Sequence, residues 1–127
     1  MRYCVDSDKS FSEVVFDFEP VAQRLGFVVL NRHDLGETLC GKGLDIDEDG
    51  QVFEIINYRL AERLLSIDMA LSITLPWRIA VTTDSGATRI SLLRPTQQLK
   101  DWVSAPALPR LASDIECRLI AIIDEVR

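Results

Sequence analysis

The chain has 127 residues, of which 47% are hydrophobic and 27% are charged, and its formal net charge is -6. These values are typical of one globular domain with one core, over residues 1–127, and they exclude a disordered chain. A surface that binds nucleic-acid phosphates needs clustered Lys and Arg, whereas the arginines here are scattered among carboxylates. We therefore expect no nucleic-acid partner.

The apolar segments are too short for a membrane protein. The longest uninterrupted apolar run, LIAII at residues 119–123, is far below the ~20 residues that a membrane span requires. RYCV after Met1 is typical of a strand and not of a signal peptide. Three widely spaced cysteines without a C-x-x-C pair argue against a disulfide framework or a thiolate zinc site. We expect a cytoplasmic protein with no membrane partner.

Strand and helix patterns alternate along the first part of the chain. Residues 2–6 predict a strand, and Ser10 followed by Glu13 predicts a capping box that opens a helix ending near Gly26. FVVL at 27–30 has the composition of a buried strand. The apolar face of the helix is expected to contain Phe11, Val14, Val15, Phe18, Val21, Ala22 and Leu25.

Two helices and a third strand are predicted in the middle of the chain. Asp34 can cap a short helix that carries Leu35 and Leu39 on one side. QVFEII at 51–56 is typical of a strand. Asn57 can then cap a helix that continues to about residue 66.

The clearest element is a β-hairpin within residues 77–94, where two alternating runs flank Asp84, Ser85 and Gly86. With a tight turn at Ser85 and Gly86, the alternation predicts a core face of Ile79, Val81, Ile90 and Leu92. The other face, which is expected to be plain solvent-facing sheet, a dimer contact or the floor of a ligand site, contains Arg78, Ala80, Thr82, Arg89, Ser91 and Leu93.

The last segment, LPRLASDIECRLIAIIDEV, predicts a long helix with Pro109 in its first turn and one buried stripe. The order of elements is therefore β-α-β-α-β-α-β-β-α. It predicts an α+β fold, a two-layer sandwich in which one mixed β-sheet carries helices mainly on one face.

GLDIDEDG at 43–50 begins as the calcium loop of an EF-hand begins, with Asp45, Asp47 and Asp49 before Gly50. The bidentate Glu that closes such a loop belongs at its twelfth position, which is Ile56 here. The residues that follow also predict a strand where an EF-hand has a helix. Asp and Gly are common in exposed turns, so we expect no metal site and no cofactor.

Several blocks in this order resemble one family. RYCVDSDKSF, GFVVLNRHDLG, VFEIIN and LPWRIAVTTDSGATRISLLRP are similar to the small prokaryotic proteins of the Domain of Unknown Function family numbered three hundred and two, over residues 2 to about 95. The resemblance implies a two-layer α/β domain, often found as a dimer, with no established reaction.

The chain departs from that family pattern at two places. The pattern often has a Cys and a Pro around the Asn of the third strand, where Ile56 and Tyr58 stand around Asn57 here. It often has a Cys after the Pro of the fourth strand, where this chain has Trp77. This chain therefore lacks the cysteines to which a thiol or metal-binding role would be assigned.

His33, the one histidine, is the candidate general base near neutral pH. The alternative is a loop histidine that fixes the turn before Asp34. Glu54 lies within an apolar strand, where a carboxylate needs a partner or a pocket, and its candidate counter-ions are Arg78 and Arg94. Two explanations account equally well for Glu54 in this strand: an ion pair on the face of the sheet, or a binding site.

Two functional hypotheses follow. The first is a non-enzymatic module that binds a small molecule or a partner protein and acts as a homodimer, with candidate binding residues His33, Glu54, Asn57, Arg78 and Arg94. The second is a small enzyme that uses His33 or Glu54 as general acid or base. The sequence marks no nucleophile, so the binding module is the first choice.

Overall fold

The structure, a computed structural model, describes residues 1–102 and 105–127, which contain one five-stranded sheet. The strands have the order β1-β5-β4-β3-β2, and every neighbouring pair is antiparallel. Their bounds are Arg2–Ser7 (β1), Val28–Asp34 (β2), Gly50–Ile56 (β3), Trp77–Asp84 (β4) and Ala87–Leu93 (β5). The α+β fold is confirmed. The expectation of a mixed sheet was wrong, because each connection from β2 to β5 returns the chain antiparallel beside the preceding strand.

The helices follow the predicted order, with two short additions. Their bounds are Phe11–Arg24 (α1), Leu35–Cys40 (α2), Tyr58–Ile67 (α3), Pro95–Gln98 (α4) and Leu108–Val126 (α5), with a 3₁₀ helix at Met69–Thr74. Ser10 and Glu13 form the predicted capping box. Asp34 caps α2 and Asn57 caps α3 through hydrogen bonds from backbone N–H groups. None of the helices in the described residues is long and apolar enough to span a membrane.

The hairpin has the predicted register and faces. Ser85 and Gly86 both have positive φ, 51° and 90°, as a type I′ turn requires. Asp84 therefore pairs with Ala87, and Ala80 lies opposite Ser91. The residues predicted to face the helices are all buried, namely Ile79, Val81, Ile90 and Leu92.

The core lies between that face of the sheet and the helices α1, α3 and α5. Phe18 of α1 has no exposed surface and stacks on Phe53 of β3, with ring centroids 4.0 Å apart. Aromatic side chains bury a large apolar area per residue, so this pair is a main contact between the helix layer and the inner strand β3. The stripe predicted for α5 is buried over its whole length, at Leu108, Leu111, Ile115, Leu119, Ile122 and Val126.

Strand β2 is not the buried strand that the apolar run at 27–30 predicted. It lies at an edge of the sheet and pairs with β3 alone. Phe27, just before the strand, enters the core, whereas Val28 and Leu30 are 41% and 43% exposed. An edge strand covered on one side satisfies the same apolar pattern as a central strand, which is why composition alone predicted burial.

The face of the sheet opposite the core, which we call the open face, has no helix over its centre among the described residues. Helix α2 covers its margin only, where Leu35 lies against Gly50. By strand alternation, the open face includes Arg2, Cys4 and Asp6 from β1, Arg89, Ser91 and Leu93 from β5, Arg78, Ala80 and Thr82 from β4, Val52 and Glu54 from β3, and Asn31 and His33 from β2.

Replacement of Phe18 by Ala should lower the free energy of unfolding by about 3–5 kcal/mol, because it leaves a cavity where the helix layer meets Phe53. Phe16→Ala on the same helix is the control, since Phe16 is 80% exposed; it should change stability by less than about 0.5 kcal/mol. Denaturant unfolding of both variants measures the difference. Equal effects of the two substitutions would show that the buried face of α1 is assigned wrongly.

Candidate functional site

Three of the predicted site residues come together on the open face. Glu54 of β3 lies opposite Arg78 of β4, and its Oε2 accepts a hydrogen bond from Arg78 Nε at 3.1 Å. Its other oxygen, Oε1, lies 2.6 Å from Nε2 of His33 on β2. Glu54 is only 9% exposed, so both carboxylate oxygens are held beneath the side chains of His33 and Arg78. Of the two predicted counter-ions of Glu54, Arg78 pairs with it and Arg94 does not.

A β-bulge brings His33 to this position. The register of β2 against β3 shifts between Val29 and Asn31, so β2 contains one extra residue there. The extra residue reverses which side chains face the helices beyond it. Arg32 consequently lies over the ring of Phe53 on the core side, and His33 points to the open face. His33 thus belongs to the strand itself, not to a loop that follows it.

The hydrogen bonds determine the protonation of Glu54. The hydrogen bond from His33 lowers the pKa of the Glu54 carboxyl; burial raises it, and the hydrogen bond and charge of Arg78 lower it further, so the pKa lies below its ordinary value. Glu54 is therefore a carboxylate at neutral pH and can only accept hydrogen bonds. The proton between Glu54 and His33 then lies on Nε2, which leaves Nδ1 of a neutral His33 as an acceptor.

Arg78 retains hydrogen-bonding capacity. Its Nε is used by Glu54, whereas its two terminal nitrogens make no hydrogen bond to any described residue. Arg78 lines a depression of about 340 Å³, which lies within the size range of small-molecule sites. Small side chains form its floor, and its lining consists of Arg2, Val52, Arg78, Ala80, Ser91, Leu92 and Leu93.

Asn57 and Arg94 lie elsewhere. The Asn57 side chain accepts a hydrogen bond from Leu60 N–H and donates one to the carbonyl oxygen of Gly26, so it joins the start of α3 to the end of α1. Arg94 follows β5 and donates from Nε and a terminal nitrogen to Glu116 Oε2 at 3.2 and 3.1 Å. The structure therefore separates these two residues from His33, Glu54 and Arg78.

Glu116 is a buried carboxylate that sequence reasoning did not select. It is only 7% exposed and accepts hydrogen bonds from Arg94 and from both the backbone N–H and the hydroxyl of Thr96. Burial raises the pKa of Glu116, but the Thr96 and Arg94 hydrogen bonds outweigh burial and hold the pKa below its ordinary value. The cluster anchors the short helix α4 to α5.

The acidic turn is exposed at Asp45, Asp47 and Asp49. Its neighbour Glu48 accepts hydrogen bonds from Ser85 N–H and the Thr83 hydroxyl, which ties the loop to the hairpin turn. Among the described residues, no group of His, Cys, Asp or Glu is arranged to hold a metal ion. The absence of calcium binding stays a prediction, and a saturable rise in melting temperature at micromolar calcium would contradict it.

Comparison with known proteins adds the family. The model of the family described as "Domain of unknown function DUF302" matches residues 3–126, which is nearly the whole chain. The chain belongs to the DUF302 family. Its fold is also that of the crystal structure of an uncharacterized conserved DUF302 protein from Bacillus stearothermophilus, which is 32% identical, with a TM-score of 0.91 over 99% of this chain and 98% of that one. No curated protein matches the sequence.

In this DUF302 chain, sequence reasoning missed Arg2 and Glu116. Arg2 lines the depression because β1 pairs with β5, and the paired residues, from Ser7↔Thr88 to Arg2↔Leu93, are 81 to 91 positions apart along the chain. Alternation does place Arg2, Cys4 and Asp6 on one face, but it cannot name the strand beside them. Glu116 had a visible signal, since it is a charged residue next to Ile115 on the buried stripe of α5.

Replacement of Glu116 by Gln should lower the free energy of unfolding by about 1–3 kcal/mol at pH 7, since it removes a hydrogen-bonded buried charge. The folded pKa lies below the ordinary value of 4.5. The stabilisation is therefore fully present above about pH 4.5 and is lost as the pH falls through the folded pKa. Unfolding curves from pH 7 to pH 3 measure the difference between wild type and variant.

The control is Glu62→Gln, because Glu62 is exposed on α3 and its carboxylate makes no hydrogen bond to a described residue. It should leave stability within about 0.5 kcal/mol at every pH. If Glu116→Gln lowers the free energy of unfolding by the same amount down to pH 3, the buried carboxylate is not the cause of the stabilisation.

Proposed function

We propose that this DUF302 chain, as one domain over residues 1–127, is a non-enzymatic module that binds a small anionic molecule on its open face and acts as a homodimer. One observation carries the proposal: Glu54 binds Arg78 through Nε, and Arg78, whose terminal nitrogens have no hydrogen-bond partner among the described residues, lines the depression. A guanidinium in that state is ready to donate two hydrogen bonds to a carboxylate or phosphate.

The rest of the depression favours an anion with an apolar body. Arg2, whose side chain makes no hydrogen bond or ion pair with a described residue, adds a second positive charge at the rim. Leu93 lies between the two arginines in the sheet and is 53% exposed. A second, smaller cavity of about 100 Å³ shares Arg78 and Leu93 with this depression and is also lined by Ile73 and Trp77. Apolar atoms of a ligand would be removed from water there.

The contacts of Glu54 hold Arg78 in place before a ligand binds, which supports a binding function. A buried carboxylate is unfavourable unless its charge is paired, and here both oxygens are paired. The same contacts restrict the rotamer of Arg78, so less side-chain freedom is lost when a ligand binds. Glu54 therefore positions the donor and does not itself need to contact the ligand.

Replacement of Arg78 by Gln should weaken anion binding at least tenfold, because a charge-assisted hydrogen bond contributes about 1.5–3 kcal/mol. Thermal-shift titrations with small carboxylates and inorganic phosphate, at constant ionic strength, should show a saturable rise in melting temperature in the wild type. Arg59→Gln is the control, since Arg59 is exposed on α3 away from the sheet. No saturable response in the wild type, or the same response in both variants, would contradict the proposal.

A second function, a small enzyme, is favoured by the contact between His33 and Glu54. A carboxylate that fixes the Nε2–H tautomer leaves Nδ1 as a general base, and His33 lines a depression of about 460 Å³ between β2 and α2. Under this alternative, a screen with activated esters and phosphoesters should reveal turnover that His33→Gln lowers by about 10²–10⁴-fold. Turnover that is absent, or unchanged in His33→Gln, contradicts it.

The two edges of the sheet support the proposal of a homodimer. Strands β1 and β2 each have one neighbouring strand among the described residues, so their outer N–H and C=O groups are available to another strand. We keep the expectations of a cytoplasmic location and of no nucleic-acid partner as parts of the proposal.

A further inference from the structure

The outer edge of β1 presents the backbone groups of three residues. The N–H of Arg94 donates to the carbonyl oxygen of Met1 at 2.8 Å, so the backbone of Met1 points toward β5. Backbone direction alternates along an antiparallel strand. Tyr3, Val5 and Ser7 therefore also point toward β5. The N–H and C=O groups of Arg2, Cys4 and Asp6 point outward.

β1 is the edge better suited to pair with another strand. Its register with β5 is regular over all six residues, and it contains neither proline nor a bulge. β2, the other edge, contains the bulge between Val29 and Asn31, and bulges are a common means of preventing edge-to-edge pairing. The outward-pointing residues of β1 are all exposed, so nothing described covers that edge.

We propose that β1 pairs antiparallel with β1 of a second copy of this chain, with Cys4 opposite Cys4 at the two-fold axis. In this register Arg2 of each copy lies opposite Asp6 of the other. All three outward-pointing residues then form hydrogen-bonded pairs, because the register matches outward groups with outward groups. The inference rests on the proposed homodimer and names its surface.

Charge selects this register over its neighbours. A shift of two residues keeps outward groups paired but places Arg2 or Asp6 opposite Cys4, which removes the pairing of opposite charges. Asp6 can also accept a further cation, because its side chain is 71% exposed. It accepts a hydrogen bond from Arg89, which is shared with Asp84, so two carboxylates have one guanidinium between them. Arg2 of the second copy supplies a second positive charge to this group.

The pairing leaves the candidate site accessible. The two sheets join edge to edge into one sheet of ten strands, and both open faces lie on the same side of it. Arg78 lies two strands from the junction, so its terminal nitrogens stay free for the anion, whereas Arg2 is then shared between the anion and Asp6 of the second copy. Across the core side, Tyr3 lies opposite Val5 of the second copy, an aromatic and β-branched combination that is favourable between antiparallel strands.

Charge exchange tests the register. Arg2→Glu alone places like charges opposite each other, and so does Asp6→Lys alone, so each should weaken dimerisation at least tenfold in light-scattering measurements. An equimolar mixture of the two variants should dimerise again, because both cross-strand pairs are then oppositely charged. Arg59→Glu controls for net charge, and circular dichroism with melting curves establishes that each variant folds. Failure of the mixture to dimerise would overturn the register.

Thiol crosslinking of the native chain gives a second measurement. Cys4, Cys40 and Cys117 are all exposed, and opposite residues in a hydrogen-bonded antiparallel pair have Cα atoms about 5.5 Å apart. A short bismaleimide should therefore produce a covalent dimer that is lost in Cys4→Ser but retained in Cys40→Ser and Cys117→Ser. A monomeric wild type would overturn both the homodimer and this interface. A dimer that crosslinks without Cys4, and that tolerates the single charge changes, would overturn the interface and leave the homodimer standing.

Discussion

The left-handed backbone at Ser85 and Gly86 is the constraint on which the rest of the structure depends. It closes a type I′ turn that pairs Asp84 with Ala87. Positive φ is unfavourable for Ser, so the turn needs support, and Glu48 supplies it by accepting a hydrogen bond from Ser85 N–H at 2.7 Å. The acidic segment that imitates a calcium loop thus has a structural role in holding the hairpin turn.

The register set by that turn decides which side chains meet the helices. A slip of one residue in β4 would direct Arg78 and Ala80 into the core and expose Ile79 and Val81. With the observed register, β3 joins β4 so that Glu54 faces Arg78. The bulge of β2 then adds His33. The candidate site is therefore built by three strands in succession, each positioned by the one before it.

Local signals explain how much of the fold could be predicted. The capping box, the helix caps, the alternation of the hairpin and the stripe of α5 all depend on residues close together in sequence. Features that depend on distant neighbours could not be predicted in the same way. The pairing of β1 with β5 and the edge position of β2 are set by competition among all the strands.

The candidate site was also predictable only in part. Its need for a cation beside Glu54 was visible in the sequence, because a carboxylate in an apolar strand requires a partner. The choice between Arg78 and Arg94 was not visible, since both belong to the hairpin segment. Pro95 decides it: β5 ends at Leu93, Pro95 begins α4, and Arg94 at this bend reaches Glu116 instead.

Membership of DUF302 and a shared fold do not specify a chemistry, so function has to be argued from side chains. Catalysis by His33 requires a reacting group placed beside Nδ1, and no nucleophile is bonded to that nitrogen in the described residues. Binding requires only donors that are held in place and not already bonded within the protein. Arg78 meets that requirement, because the carboxylate that neutralises it occupies one side of its guanidinium and leaves the other side open. The open side of the guanidinium faces solvent, since the Arg78 side chain is 65% exposed, so an anion that binds there displaces water and breaks no bond within the protein.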